Sequence, residues 1–179
     1  MRRIVTGHNA AGKSVFLSDG EPPRQIANKA GGLQLDEIWG SEGTPVLPIS
    51  HDDPTLVRHT WFPGPAGCRF LAVHFLPASS TEKAIAQGID PEKATQEFFG
   101  SFPGLGEHME ADNPGMHASQ TIDFGVVLKG EVDLELDDGV KKRLKAGDCL
   151  VQGGARHKWS NPGAETCLMV FTVVGASRK

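Results

Sequence analysis

The side chains best suited to chemistry in this sequence are His117, Asp123 and His157, with Ser119 between the first two and Trp159 just after the last. Imidazoles and a carboxylate can take and return protons near neutral pH, and an indole can stack a planar ligand. Positions 117, 119, 121 and 123 are two apart, so in a strand they share one face. That face carries His117, Ser119, Thr121, Asp123, Gly125 and Val127, and the opposite row is Ile122, Phe124, Val126 and Leu128. Two arrangements are open. The polar row can face an interior pocket, and the apolar row then has to lie under the N-terminal strands or a second subunit. Alternatively the apolar row is the core and Asp123 is exposed.

Other candidates have plainer readings beside their chemical ones. His74 shares a strand face with Phe70 and Ala72, as a hydrogen-bonded core histidine or a pocket residue. Trp159 lies on the face of His157, as packing or as a ligand wall. His108 falls in a loop, and His51-Asp52-Asp53 has ligand-type groups without fixed geometry. Gly153-Gly154 lacks the strand-to-helix setting of a phosphate loop, and no Ser-His-Asp set with a nucleophile elbow is present. Cys68, Cys149 and Cys167 are odd in number and far apart, which argues against a disulfide framework or zinc knuckle. Cys149 and Cys167 read as small hydrophobes in strands.

The elements that must position these groups are short. With 22 Gly and 12 Pro the chain is broken often, as all-β domains require. Residues 2–6 and 13–18 form a plausible hairpin, 33–39 and 69–75 read as strands, and 40–67 as a surface excursion pinned by Trp61 and Phe62. Two helical pieces follow at 80–87, capped at Ser79 or Ser80, and 91–99. The second has Asp90 as N-cap, Pro91 in its first turn, Phe98 inward and Gly100 as a stop. Six strands are expected at 120–129, 131–137, 140–145, 148–152, 156–160 and 166–174. Asp138-Gly139 is a hairpin turn whose two central residues need positive φ. Val132, Leu134 and Leu136 alternate with Glu131, Asp133 and Glu135, so that hairpin has one wet face. Tight turns between so many short strands favour a double-sheet jelly roll or small barrel.

Length and charge exclude several classes. The 179 residues suit one domain, and 39% apolar with 22% charged residues is ordinary for a globular protein. Net charge is −4 with scattered Lys and Arg, so neither nucleic acid nor an anionic membrane surface is expected as a partner. No apolar run approaches the ~20 residues of a membrane helix. Met1-Arg2-Arg3 is not followed by an apolar stretch of signal-peptide type, and a cytoplasmic protein is expected.

Two segments resemble the paired signature segments of the cupin superfamily. In 116–130, His117 falls on the first His of a His-x-His pair, Ser119 on the second, Asp123 on the following Glu and Gly130 on the closing Gly. In 147–161, Gly147, His157 and Asn161 fall on the Gly, His and Asn of the second segment, with a Pro missing and one residue fewer before His157. The sequence is similar to single-domain cupins that carry Thr-x-Asp-aromatic in place of the second His and the Glu.

The resemblance implies an all-β, cupin-type double-sheet antiparallel β-barrel (jelly roll), with N-terminal strands and one or two short helices. One domain would span 1–179, with strands, excursion and helices in 1–112 and the barrel core in 113–175. It implies a small-molecule enzyme, metal-dependent, with dioxygenase, decarboxylase or isomerase-like chemistry on a small organic acid or phenol-like compound. The alternatives are a non-catalytic binding barrel without metal and a metal-free enzyme in which His157 or Asp123 is the base. The ligand set carried over is His117, Asp123 and His157, a two-His-one-carboxylate type suited to Fe, Mn, Ni or Zn. Ser119 would hold water or a substrate group, with His74 and Trp159 as further pocket residues. A homodimer and a small-molecule ligand are the expected partners.

Overall fold

A computed structural model describes residues 1–57, 60–101 and 103–178. Eleven strands are present among them: β1 (Arg3–His8), β2 (Ser14–Gly20), β3 (Arg24–Asn28), β4 (Leu33–Ser41), β5 (Cys68–Phe75), β6 (Thr121–Lys129), β7 (Glu131–Glu135), β8 (Lys141–Lys145), β9 (Cys149–Gln152), β10 (Lys158–Ser160) and β11 (Cys167–Gly175). Helices α1 (Ala78–Ala86) and α2 (Pro91–Ser101) lie between β5 and β6. One sheet has the order β3-β4-β5-β11-β6-β9, a second β10-β7-β8, and β1 pairs with β2 as a separate ribbon. All pairings are antiparallel. The fold is the all-β jelly roll expected, with both short helices.

Alternation builds the core. Along β11, Cys167, Met169, Phe171 and Val173 are buried, while the residues between them are half-buried. These join Val127 of β6, Leu71 and Val73 of β5, and Val132, Leu134 and Leu144 of the smaller sheet in one cluster. Gly125 is needed where it stands: a Cβ there would meet Phe171 Cε1 at 2.7 Å, so its absence lets that ring lie across β6. The outer face of β7 is wet as expected, with Arg143 donating to Asp133 (2.7 Å) and Glu131 (3.1 Å). Asp138 and Gly139 both have positive φ (58° and 71°), the geometry that a tight β7–β8 hairpin demands.

Several local expectations need correction. Strand β3 was not expected, because Pro22-Pro23 precede it and Ala27 and Asn28 have weak strand propensity; pairing with β4 decides it. Helix α1 starts at Ala78 behind Pro77, without a side-chain cap. Asp90 does cap α2, its Oδ1 accepting from Glu92 N at 2.9 Å, but the helix runs through Gly100 to Ser101. Phe98 packs inward. Of residues 156–160 only Lys158–Ser160 form a strand.

The polar row of β6 faces inward. Thr121, Asp123, Gly125 and Val127 are buried, whereas Ile122, Phe124 and Leu128 are 41%, 51% and 51% exposed. The N-terminal ribbon leaves that row open. Its own anchoring is polar: Arg3 donates to Asp53 Oδ2 (2.6 Å) and to the Ile38 carbonyl (3.2 Å). Asp53 also caps the turn at Thr55, and the His51 ring reaches the His8 carbonyl, so His51-Asp52-Asp53 is occupied in tethering.

Candidate functional site

His117 and His157 come together through the backbone. They oppose each other in an isolated antiparallel bridge, with His117 N–H donating to His157 O at 3.0 Å and the reverse bond at 2.8 Å. Directly opposed residues present their side chains on the same face, and the two imidazole centroids are 4.3 Å apart. The chain before His157 is held by Arg156, which donates to both Glu110 oxygens (2.5 and 2.6 Å) and to Asp137 (2.9 Å).

Hydrogen bonding assigns the His117 tautomer. His117 Nδ1 faces the Gly115 carbonyl at 3.1 Å and His157 Nδ1 the Ala155 carbonyl at 2.8 Å. A carbonyl only accepts, so His117 Nδ1 carries the proton and its Nε2 keeps a lone pair; His157 Nδ1 also lies 3.2 Å from the Gln152 amide nitrogen, a donor, and so meets an acceptor and a donor at once. Burial lowers the pKa of both rings. For His157, burial and then the neighbouring His117 push it down to about 4, against the bond to Ala155. For His117, burial outweighs the Gly115 bond. Both rings are therefore neutral at pH 7.

Asp123 is the third group. It sits on β6 between Val173 of β11 and Gln152 of β9. Its Oδ1 is buried without a hydrogen-bond partner, and burial raises the carboxyl to about 6 although the Thr121 hydroxyl works the other way. A buried carboxylate oxygen without a donor is expensive to desolvate, which suits a group awaiting a proton or ligand. Ser119 is buried close by, but its hydroxyl is paired with Thr121 Oγ1 at 2.7 Å.

A cavity of about 890 Å³ adjoins these groups. His117, Asp123, His157 and Trp159 line it, and Ser119 does not. Trp159 both packs and lines the wall, with its ring 5.3 Å from Phe75 and 6.0 Å from His157. His74 belongs elsewhere: its Nε2 meets Asp36 Oδ2 at 3.2 Å, and it is absent from the cavity wall. Alternation explains this, because Leu71, Val73 and Phe75 take the inner face of β5 and leave His74 on the outer one. The wall also includes Trp61, Phe62, Phe98, Phe99 and Met109, which sequence reasoning missed as site residues. The available signal was a concentration of aromatic side chains in a Pro- and Gly-rich excursion and a short helix.

The donor set was tested against a divalent metal. A neutral imidazole with Nδ1–H fixed on a carbonyl, as in His117, is well prepared as a ligand. However, among the described residues no three His, Cys, Asp or Glu side chains lie close enough together to hold one ion. The two imidazoles meet, and the expected three-residue set is not assembled among the described residues.

The profile of the Cupin domain family matches residues 108–174, the segment that supplies all three groups. Over 159 residues the chain is 31% identical to phomopsin biosynthesis cluster protein D of Diaporthe leptostromiformis, covering 89% of this chain and 69% of that one. The chain belongs to the cupin superfamily. A second similar protein is the cupin-domain-containing oxidoreductase fogC of Aspergillus ruber, 29% identical over 161 residues, 89% of this chain and 63% of that one. Among solved structures, the cupin domain of Schizosaccharomyces pombe Cnp3 aligns over 97% of this chain and 87% of its own, at TM-score 0.46 and 9% identity.

In this cupin other signature positions have structural tasks. Gly130 turns the chain at φ 73°, and a Cβ there would meet the Thr166 carbonyl at 2.9 Å. Asn161 donates to the carbonyls of Phe75 and Glu165, both at 2.8 Å, tying the turn before β11 to the end of β5. Among the described residues no helix is long and apolar enough to cross a membrane.

Proposed function

We propose that this cupin is an enzyme acting on a small molecule bound in the barrel, with His117 and His157 as its proton-handling groups. The observation that carries this reading is the pair of neutral imidazoles 4.3 Å apart on the wall of a large cavity. His117 Nε2 is free to accept a proton or a hydrogen bond, because its Nδ1–H is committed to the Gly115 carbonyl. One ring can take a proton from a hydroxyl or from carbon next to a carbonyl, while the other positions the same ligand. A protonated His157 is a strong acid in this setting, so it returns the proton readily; removal at one atom and return at another amounts to isomerisation.

The names of similar proteins, cupin-domain-containing oxidoreductases among them, support an enzyme over a passive binding barrel and make redox turnover the first class to assay. No step is routed through a metal, because three donors do not converge. The test is turnover of candidate substrates by wild type, His117→Gln and His157→Gln, each with intact fold. Loss of at least ~100-fold in kcat in either variant supports the reading, in line with the 10²–10⁴-fold typical of a general base. Unchanged kcat in both rejects it and leaves the binding-barrel alternative.

A further inference from the structure

The cavity wall specifies a class of ligand more closely than the chemistry of the two imidazoles does. At about 890 Å³ it lies near the upper end of the ~300–1,000 Å³ usual for small-molecule sites. Aromatic rings dominate its sides: Trp61, Phe62, Phe75, Phe98, Phe99 and Trp159 all contribute. A row of rings runs away from the polar end, with Trp159 6.0 Å from His157 and Phe75 5.3 Å from Trp159. Strand register adds a second length. Asp123 lies level with Val173 and Arg69, whereas Phe75 lies level with Cys167, so Asp123 and Phe75 are six residues apart along the sheet, or ~20 Å.

Charge is the second constraint. Among the described residues Lys158 is the one Lys or Arg on the wall, and its Nζ is turned to Asn113 Oδ1 at 3.3 Å. Glu110 is held by Arg156, which leaves the Asp123 carboxyl as the remaining ionisable acid facing the space. A ligand carboxylate or phosphate would therefore enter an apolar, ring-lined space without a cation to receive it and close to a carboxylate. That burial is costly. Two further polar atoms of wall residues are already engaged, since Asn28 Oδ1 accepts from Gly31 N (2.8 Å) and the Thr81 hydroxyl donates to the Lys29 carbonyl (3.4 Å).

We infer that the cavity takes an uncharged, flat, largely apolar molecule whose hydroxyl donates to Nε2 of His117 beside the His157 ring and whose body lies along Trp159 toward Phe75. This rests on the proposed function for the choice of the histidine end, and it narrows the substrate from small acids to neutral aromatic compounds.

Three probes sharing one ring system test it: 2-naphthalenemethanol, 2-naphthoate and 2-naphthylmethylammonium, titrated calorimetrically into the intact protein at pH 7.5. The alcohol is expected to bind at one per chain and at least tenfold more tightly than the naphthoate. It should also shift the Cε1 proton resonances of His117 and His157. Thr95→Trp, which puts an indole into the space from the half-buried face of α2, should abolish alcohol binding with circular dichroism unchanged. Naphthoate binding as tight as the alcohol, no binding of the alcohol, or alcohol binding undiminished in Thr95→Trp with its fold intact would each overturn the inference. Binding is read without turnover. A protein that binds the alcohol but loses nothing in the histidine variants sinks the enzyme reading and leaves the ligand class standing.

Discussion

His117 and His157, forty residues apart in the chain, are paired across one antiparallel bridge and hold their rings 4.3 Å apart with each Nδ1 beside a carbonyl. This arrangement leaves His117 Nε2 available, and burial keeps both rings neutral. It gives the cavity a hydrogen-bond acceptor and no fixed charge at that point. The expectations below follow from it and from its neighbours.

The His157 ring should titrate far below the usual histidine range. Burial and the adjacent His117 push it down to about 4, so its Cε1 proton shift should stay flat from pH 8 to pH 5.5. The folded form binds the proton more weakly than the unfolded form. Its contribution to stability is therefore present above ~6.5 and is lost as pH falls toward 4. An NMR midpoint between 6 and 7 would show that the ring is solvated or charge-paired.

Asp123 has the opposite sign. Burial raises its carboxyl to about 6, so the folded state holds that proton more tightly than the unfolded chain. The resulting stabilisation is present below ~3.8 and is lost as pH rises through 6. Asp123→Asn removes the cost of the buried charge and should stabilise the protein at pH 8 by roughly 1–3 kcal/mol, with a clearly smaller gain at pH 4.5 that vanishes below ~3.8. Urea unfolding at the two pH values checks this. A loss of stability at pH 8 would mean that the carboxylate is satisfied by a group bound there.

Metal affinity should be low in the wild type and rise when donors are added. Two imidazoles alone fall short of the three protein ligands typical of a catalytic zinc site. Asp123 lines the cavity and Ser119 is buried though off its wall, so the longer side chains of Ser119→His with Asp123→Glu extend further donors toward the pair. The double variant is expected to bind Zn, Mn or Ni more tightly by calorimetry, provided circular dichroism confirms the fold. Wild-type protein purified without an affinity-tag nickel step should carry well under one metal per chain. Full occupancy there would show that Asp123 moves into the set.

We propose that the exposed row of β6 is covered by a second copy of the chain. Register sets Phe70, Thr172, Phe124 and Val151 level across β5, β11, β6 and β9, and Phe124 and Val151 are 51% and 67% exposed. A contiguous apolar face of this sort is costly in water. Light scattering should give a dimer mass, and Phe124→Arg should shift it to monomer while the fold survives. A wild-type monomer at all concentrations would leave that face to another partner.

While leaving open which row of β6 faces inward, the sequence by itself determined the all-β class, the wet face of β7, the Asp138-Gly139 hairpin and the cap at Asp90. Each of these rests on local chemistry: a period of two, a need for positive φ, or a side chain within reach of its own backbone. It also brought His117, Asp123 and His157 forward as chemical groups, through side-chain type and the resemblance of two segments. Tertiary structure decided the rest. Pairing with β4 made β3 a strand, the bridge at His117 and His157 set their separation, and partnership with Asp36 took His74 away from the cavity. The aromatic wall was illegible because Trp61, Phe62, Phe98 and Phe99 lie in irregular or short helical segments. Their common destination depends on how the excursion and α2 fold back over the barrel, and no periodicity in the sequence encodes a contact between segments so far apart.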